Sequence, residues 1–178
     1  MFMITLYIGD NGSGKTRQLV NIIETSMDNG LSIVTNIPTF RGNYVIDEVK
    51  LQYFKDNIYN DMCKHLVLET PAKTMHESSC RRLVELLYSK GDVLILDELD
   101  CMITRQEMID ICDCLSCISP LWKDIYVSGY DSDLTRMFVQ IDEDNFETYN
   151  PNVYLMEDGV ARRIAEEDID DCFDELRW

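Results

Sequence analysis

Short apolar runs alternate with amphipathic, helix-like segments along most of the chain. Residues 3–8 form an apolar, β-prone run, and residues 93–96 are continuously apolar, as is typical of a parallel strand buried on both faces. Between Leu19 and Met27 apolar residues recur at helical spacing, and Asn29-Gly30 predicts the end of that helix. The alternation predicts an α/β fold of three layers, in which a mainly parallel sheet carries helices on both faces.

Further elements follow from the same pattern, although residues 51–75 leave their structure open. We expect strands at residues 31–37, 43–49 and 125–128, and helices from residue 78 or 79 to 90 and from 105 to 119. The turn sequence Asp158-Gly159 between two apolar runs predicts a β-hairpin. Residues 165–178 are acidic and predict a short terminal helix or tail. Because no linker or repeat interrupts residues 1–178, we expect a single domain.

The composition is that of a globular protein, with 46% hydrophobic and 28% charged residues among 178. The 33 Asp and Glu residues outnumber the 16 Lys and Arg, and the net charge of −17 disfavours direct binding to nucleic acid or anionic lipid. No apolar run approaches the length of a membrane span, and residues 1–5 lack the pattern of a signal peptide. We therefore expect a cytoplasmic protein without a membrane span.

The cysteine content indicates reduced thiols, because seven is an odd number and the chain shows no secretory signal. Cys112, Cys114 and Cys117 are close enough in sequence to suggest a zinc site. On the helix expected there, however, Cys112 and Cys114 would lie about 200° apart around the axis and could not bind the same ion. We expect these thiols to be small buried apolar groups.

A glycine-rich turn follows the first predicted strand and precedes the first predicted helix. It matches the pattern G-x-x-x-x-G-K-[ST] over Gly9, Asp10, Asn11, Gly12, Ser13, Gly14, Lys15 and Thr16. Glycines let the backbone direct successive N–H groups at phosphate oxygens, and the helix N-terminus adds a positive end. Lys15 would contact the β- and γ-phosphates, and the Thr16 hydroxyl would bind Mg²⁺. The motif therefore predicts a nucleoside triphosphate site.

Two carboxylates, Asp97 and Glu98, follow the apolar strand at residues 93–96 and resemble a Walker B element. Asp97 would complete the Mg²⁺ shell opposite Thr16, and Glu98 would orient and polarise the attacking water. The strand at 125–128 is expected beside this one, with its carboxyl end facing the γ-phosphate. Ser128 or Tyr130 would then sense phosphate or water, or be an ordinary polar residue at a strand end.

These elements together resemble the P-loop NTPases that insert an additional strand between the Walker A and Walker B strands and carry a catalytic glutamate. Residues 8–16, Asp97-Glu98 and residues 153–159 resemble the ABC-type, SMC- and RecF-like branch of these proteins. Residues 78–82 resemble a degenerate signature motif. In that comparison Cys80 stands in the place of a glycine, and Tyr130 stands in the place of the switch histidine.

A second resemblance is to the Zot-like phage assembly ATPases, which are related to the FtsK/HerA motors. It rests on residues 29–38, on the start of the chain at the Walker A strand, on Arg105 and on residues 123–126. The two branches stay open as alternatives. Both imply ATP and Mg²⁺ as ligands, and a homo-oligomer or a protein partner on which the energy is used.

The resemblance implies that the residues of the two motifs hydrolyse ATP and couple hydrolysis to a conformational change or to assembly. Candidates for a trans-acting arginine that stabilises the transition state are Arg81, Arg82, Arg105 and Arg136. One alternative is a nucleotide-binding regulatory module with little turnover, which Cys80 and Tyr130 favour. Another is a Zot-like assembly or packaging ATPase, and a third is a small phosphotransferase, which the chain length allows.

Overall fold

The computed structural model describes residues 4–40, 42, 44–57, 82–103, 111, 114, 115, 118–129, 152–165 and 168. Six strands form one sheet: β1 (Ile4–Ile8), β2 (Ile33–Thr35), β3 (Val93–Leu96), β4 (Asp124–Gly129), β5 (Asn152–Glu157) and β6 (Val160–Arg163). The helices are α1 (Lys15–Asp28), α2 (Glu48–Asn57) and α3 (Leu99–Met102), and residues 82–87 are also helical. Short 3₁₀ turns lie at Pro38–Phe40 and Ser119–Leu121.

The strands are arranged in the order β2-β3-β4-β1-β5-β6. The first five in this order run parallel, and β6 pairs antiparallel with β5 through the predicted hairpin turn. Strand β4 lies between β1 and β3, with Ile125 opposite both Ile4 and Leu94. The carboxyl ends of β1 and β3 therefore reach the same edge of the sheet, where parallel α/β sheets bind ligands. The predicted α/β class with a mainly parallel sheet is confirmed.

The side chains of the strands fill two apolar layers. On one face, Leu19 and Ile23 of α1 cover side chains from β1, β3 and β5. On the other face, the even-numbered residues of β1 and β3 pack under the helical segment 82–87, Phe54 of α2 and Trp122. Each residue of β3 is at most 1% exposed, as its unbroken apolar sequence predicts. Helices on both faces give the expected three layers.

Helix α1 ends where the sequence predicts, because Gly30 adopts a φ of +76° and its N–H bonds to the Met27 carbonyl. Its apolar face is shorter than predicted. Leu19 and Ile23 are fully buried, but Met27 is 56% exposed, and Ser26 is buried in the last turn instead. The Ser26 carbonyl accepts a hydrogen bond from the Leu31 N–H, so the returning chain covers this residue.

The strand predicted at residues 43–49 is wrong. In the described part of that stretch, Ile46 forms an isolated bridge and α2 begins at Glu48. The carboxylate of Asp47 accepts hydrogen bonds from two N–H groups of the first turn, at 3.0 and 3.3 Å. Asp47 is therefore the N-cap of a helix, and the cap ends the extended segment. This helix occupies part of the stretch whose pattern was ambiguous.

Other predicted elements are shorter or extend beyond the described residues. Strand β2 covers 33–35 of the predicted 31–37, and a 3₁₀ turn begins at Pro38. The start of the helix predicted from residue 78 or 79 lies outside the described residues, as does most of the acidic tail at 165–178. Of the helix predicted at 105–119, residues 111, 114, 115 and 118 are helical.

Among the cysteines near this helix, Cys114 is fully buried, whereas Cys112 and Cys117 lie outside the described residues. Among the described residues, none of the helices has the length and apolar character of a membrane span.

Lys50 of α2 is an unusual member of the interior, at 4% exposed. Its ammonium donates hydrogen bonds to the carbonyls of Ser89 and Gly91, at 3.0 and 2.8 Å, and lies 3.2 Å from the centroid of a Trp122 ring. These contacts join α2 to the loop that leads into β3. Burial lowers the pKa of Lys50 to about 8, and the charge of Asp47 only partly opposes this effect.

Replacing Lys50 by Met should lower the free energy of unfolding by about 1–3 kcal/mol at pH 7, because two buried carbonyls lose their donor. The loss should grow between pH 8 and 10. In that window the unfolded chain, with an ordinary lysine pKa of 10.5, binds more protons than the folded one, so wild-type stability rises with pH. Urea unfolding at each pH measures the difference. Lys55→Met, an exposed position on the same helix, should show no such trend. If the loss of stability in Lys50→Met did not change with pH, the lowered pKa of Lys50 would be contradicted.

Candidate functional site

The loop between β1 and α1 has the backbone of an anion-binding turn. Gly9, Gly12 and Gly14 adopt φ values of +147°, +81° and +99°, which other residues rarely reach. Gly14 is the N-cap of α1 and offers no side chain to bond the amides of the first turn. Those N–H groups have no acceptor within the helix, so the loop presents them, with the positive end of the helix dipole, to an external anion.

The β5–β6 hairpin packs directly against this loop. A Cβ atom on Gly9 would lie 2.5 Å from the Met156 carbonyl oxygen, and one on Gly14 would lie 3.0 Å from the Gly159 Cα atom. The Gly159 N–H also donates a 2.9 Å hydrogen bond to the Ser13 carbonyl. The hairpin turn therefore supports the loop from outside the motif. The sequence predicted this turn but not its contact, because the pairing of β5 with β1 is not visible in the pattern.

Lys15 lies over the loop and is 6% exposed. Its ammonium donates hydrogen bonds to the carbonyls of Gly9 and Asp10, at 2.7 and 2.8 Å. Burial lowers the pKa of Lys15, and nearby carboxylates, Asp100 first among them, oppose this shift. The two hydrogen bonds hold the Lys15 ammonium against the first residues of the loop.

Asp97, at the end of β3, joins the two sequence motifs. One of its carboxylate oxygens, Oδ2, accepts a 2.9 Å hydrogen bond from the Thr16 hydroxyl, and the other, Oδ1, accepts a 2.6 Å hydrogen bond from the Ser128 hydroxyl. Ser128 is fully buried at the end of β4 and also accepts a 2.9 Å hydrogen bond from the Glu98 N–H. The ends of β3 and β4 and the start of α1 therefore converge on this carboxylate.

The main chain around Asp97 is held from the opposite side by Asn36, which follows β2. Its amide donates to the Asp97 carbonyl at 2.8 Å, and its oxygen accepts from the Asp97 N–H at 2.7 Å. Glu98 adopts the left-handed conformation, with φ and ψ both +49°, and its side chain is exposed. Such a conformation costs a non-glycine residue about 1–3 kcal/mol and persists only where neighbours enforce it.

The chemistry of these groups fits a magnesium-bound phosphate ligand. Thr16 and Asp97 bring together hydroxyl and carboxylate oxygens, the ligands that Mg²⁺ prefers. In the described residues no cage of three or more acidic, His or Cys side chains occurs, but Mg²⁺ takes most of its ligands from phosphate and water. The Ser13 hydroxyl is buried with no hydrogen-bond partner among the described residues, so the loop has one polar group left to bond to a ligand.

The structure thus brings the predicted loop residues, Asp97 and Glu98 to one end of the sheet. Sequence reasoning missed Asn36 and Gly159. A polar residue directly after a strand was a usable signal for Asn36, since the carboxyl ends of parallel strands converge. Of the other candidates, Arg82 is partly buried in the helical segment 82–87, and the rest lie outside the described residues: Cys80, Arg81, Arg105, Tyr130 and Arg136.

No protein-family model and no curated protein matches the chain. Solved structures do share its fold. A chain in a model of ribosome-bound archaeal Pelota and ABCE1 superposes with a TM-score of 0.62 and 14% identity, over 91% of this chain and 29% of that one. RNase-L Inhibitor superposes with a TM-score of 0.58 and 13% identity, over 98% of this chain and 37% of that one. CbiO1 from Clostridium perfringens, part of the ABC transporter complex cbiONQ, superposes with a TM-score of 0.56 and 16% identity, over 97% of this chain and 80% of that one.

These similarities establish the fold and nothing finer. The chain has the α/β fold of ABC-type ATPase domains, which is a P-loop NTPase fold. It spans 37% of the length of RNase-L Inhibitor and 29% of the chain in the Pelota and ABCE1 structure.

The contact of the hairpin with the loop predicts different costs for two glycine substitutions. Gly9→Ala should destabilise the protein by about 2–4 kcal/mol, because the new methyl group meets a backbone oxygen and the φ of +147° is strained. Gly30→Ala also has a positive φ, of +76°, but open space around it, so it should cost only about 1–2 kcal/mol. Urea unfolding measures both, and equal costs would show that the hairpin does not constrain the loop.

Proposed function

We propose that this protein binds ATP with Mg²⁺ at the loop formed by residues 9–16 and hydrolyses it. The observation that carries the proposal is the hydrogen bond between Thr16 and Asp97, which joins the end of the glycine-rich loop to the acidic end of β3. The two halves of a Walker-type site are 81 residues apart in sequence, and chance turns would not be expected to meet in this way. The ABC-type fold supports the same interpretation.

The binding roles follow from the charges and donors present. The amides at the start of α1 and the Lys15 ammonium would neutralise the phosphates of ATP. The Thr16 hydroxyl and Asp97 carboxylate would hold the Mg²⁺ shell, and the metal would supply charge neutralisation on the phosphates. The remaining loop residues, Gly9, Asp10, Asn11, Gly12, Ser13 and Gly14, would supply the backbone cradle.

Glu98 is the residue that we propose as the general base. It follows the metal-binding candidate directly, its side chain is exposed, and its left-handed backbone is held by the hydrogen bond from its N–H to Ser128 of β4. Such enforced conformations concentrate at functional sites. A carboxylate placed there can orient a water and accept its proton during attack on the γ-phosphate.

A regulatory module that binds ATP with little turnover is the second candidate. Cys80 stands where the ABC-type signature has a glycine, and Tyr130 stands where those proteins have the switch histidine. Both changes would weaken hydrolysis that depends on assembly of two sites. We further propose that ATP drives assembly of a homo-oligomer or of a complex with a protein partner.

Calorimetry of ATP binding and a phosphate-release assay separate these functions. Wild type should bind MgATP and release phosphate, and Glu98→Gln should bind ATP but release phosphate at least about 100-fold more slowly. Glu24→Gln, an exposed change on α1, should match wild type in both assays. Binding without turnover in wild type would select the regulatory module. Absence of ATP binding by wild type would refute the ATPase proposal, and equal turnover by Glu98→Gln would refute the assignment of Glu98 as the general base.

A further inference from the structure

Ser128 makes contacts that a sensor of phosphate would not need. The single proton of its hydroxyl is donated to Oδ1 of Asp97, at 2.6 Å, and its oxygen accepts the Glu98 N–H at 2.9 Å. The side chain is fully buried. The Ser128 hydroxyl therefore fixes both the carboxylate of Asp97 and the backbone of Glu98, the next residue.

Ser128 bonds to Oδ1 of Asp97 and leaves Oδ2 for Thr16, which has a chemical consequence. With Oδ1 engaged by Ser128, the Asp97 carboxylate presents Oδ2 to Thr16, at 2.9 Å. A carboxylate free to rotate about its Cβ–Cγ bond would divide its time among several orientations, and ordering it on metal binding would cost entropy. A hydrogen bond to a charged acceptor is strong enough to prevent that rotation.

The main chain is fixed on its other side independently. Asn36 forms two hydrogen bonds with the backbone of Asp97, so β2 and β4 hold the end of β3 between them. Removal of the Ser128 hydroxyl should consequently release the carboxylate and the Glu98 amide without displacing β3. The effect of such a change would then be local to the metal side of the site.

We infer that Ser128 is a positioning residue, which orients Asp97 for the magnesium shell and holds Glu98 in its left-handed conformation. The inference rests on the proposed MgATP site and adds to it a residue outside both motifs. Ser128 acts through Asp97 and Glu98 rather than on the nucleotide. It should therefore affect magnesium-dependent steps and spare the magnesium-free contacts of the loop.

Calorimetric titration of ATP, in EDTA and across a series of Mg²⁺ concentrations, separates the magnesium-dependent steps from the magnesium-free contacts of the loop. Ser128→Ala should bind ATP in EDTA within about twofold of wild type, because the loop and Lys15 are unchanged. The Mg²⁺ concentration that gives half of the binding enhancement should rise about tenfold, and kcat should fall about tenfold or more, as the loss of a hydrogen bond to a charged group would cause. Ser128→Thr, which keeps the hydroxyl, should restore most of the Mg²⁺ affinity and most of kcat.

Ser89→Ala is the matched control, since this buried serine donates to the Glu85 carbonyl away from the site. It should leave the Mg²⁺ dependence unchanged, while thermal unfolding compares the stability cost of the two alanine variants. An unchanged Mg²⁺ requirement and kcat in Ser128→Ala would overturn the inference, as would an equal loss of ATP binding with and without Mg²⁺. If wild type itself fails to bind ATP, the proposed function falls first, and the inference falls with it.

Discussion

The hydrogen bond from the Thr16 hydroxyl to the Asp97 carboxylate is the interaction on which this account depends. It joins the start of α1 to the end of β3, two positions that are 81 residues apart. The sheet makes the contact possible, because β4 separates β1 from β3 and all three run parallel in register. A bond between two partly exposed polar groups adds little to stability by itself. Its importance is that it brings a hydroxyl and a carboxylate to the place where a phosphate-bound metal would need them.

The site is held by groups that lie outside the two motifs. The hairpin turn supports the glycine loop through the Gly159 N–H, and Met156 leaves no room for a side chain on Gly9. Ser128 and Asn36 fix the side chain and the backbone at the end of β3. Polar groups buried with complete sets of partners are rigid, and rigidity lowers the cost of ordering a site when its ligand binds. The surrounding fold thus explains how short motifs acquire a defined geometry.

Strong periodic signals made much of the fold predictable. The apolar run at residues 93–96, the turn Asp158-Gly159 and the termination at Asn29-Gly30 each correspond to the element observed. The strand predicted at 43–49 was wrong because a helix cap at Asp47 outweighed the apolar character of the segment. The position of Asn36 directly after a strand was a usable signal for this end of the sheet. Its hydrogen bonds to Asp97 and the contact of Gly159 with the glycine loop could not be derived, since they depend on which strands become neighbours. That order is decided by long-range packing, and hydrophobic periodicity carries no information about it.

Crystallographic analysis of the protein with a non-hydrolysable ATP analogue and Mn²⁺ in place of Mg²⁺ tests the central claim most directly. The account predicts phosphate oxygens against the amides of residues 12–16, and an anomalous metal peak about 2.0–2.2 Å from the Thr16 hydroxyl oxygen, with Asp97 in its coordination shell. Phosphate bound away from the glycine loop, or a metal remote from Thr16 and Asp97, would contradict it.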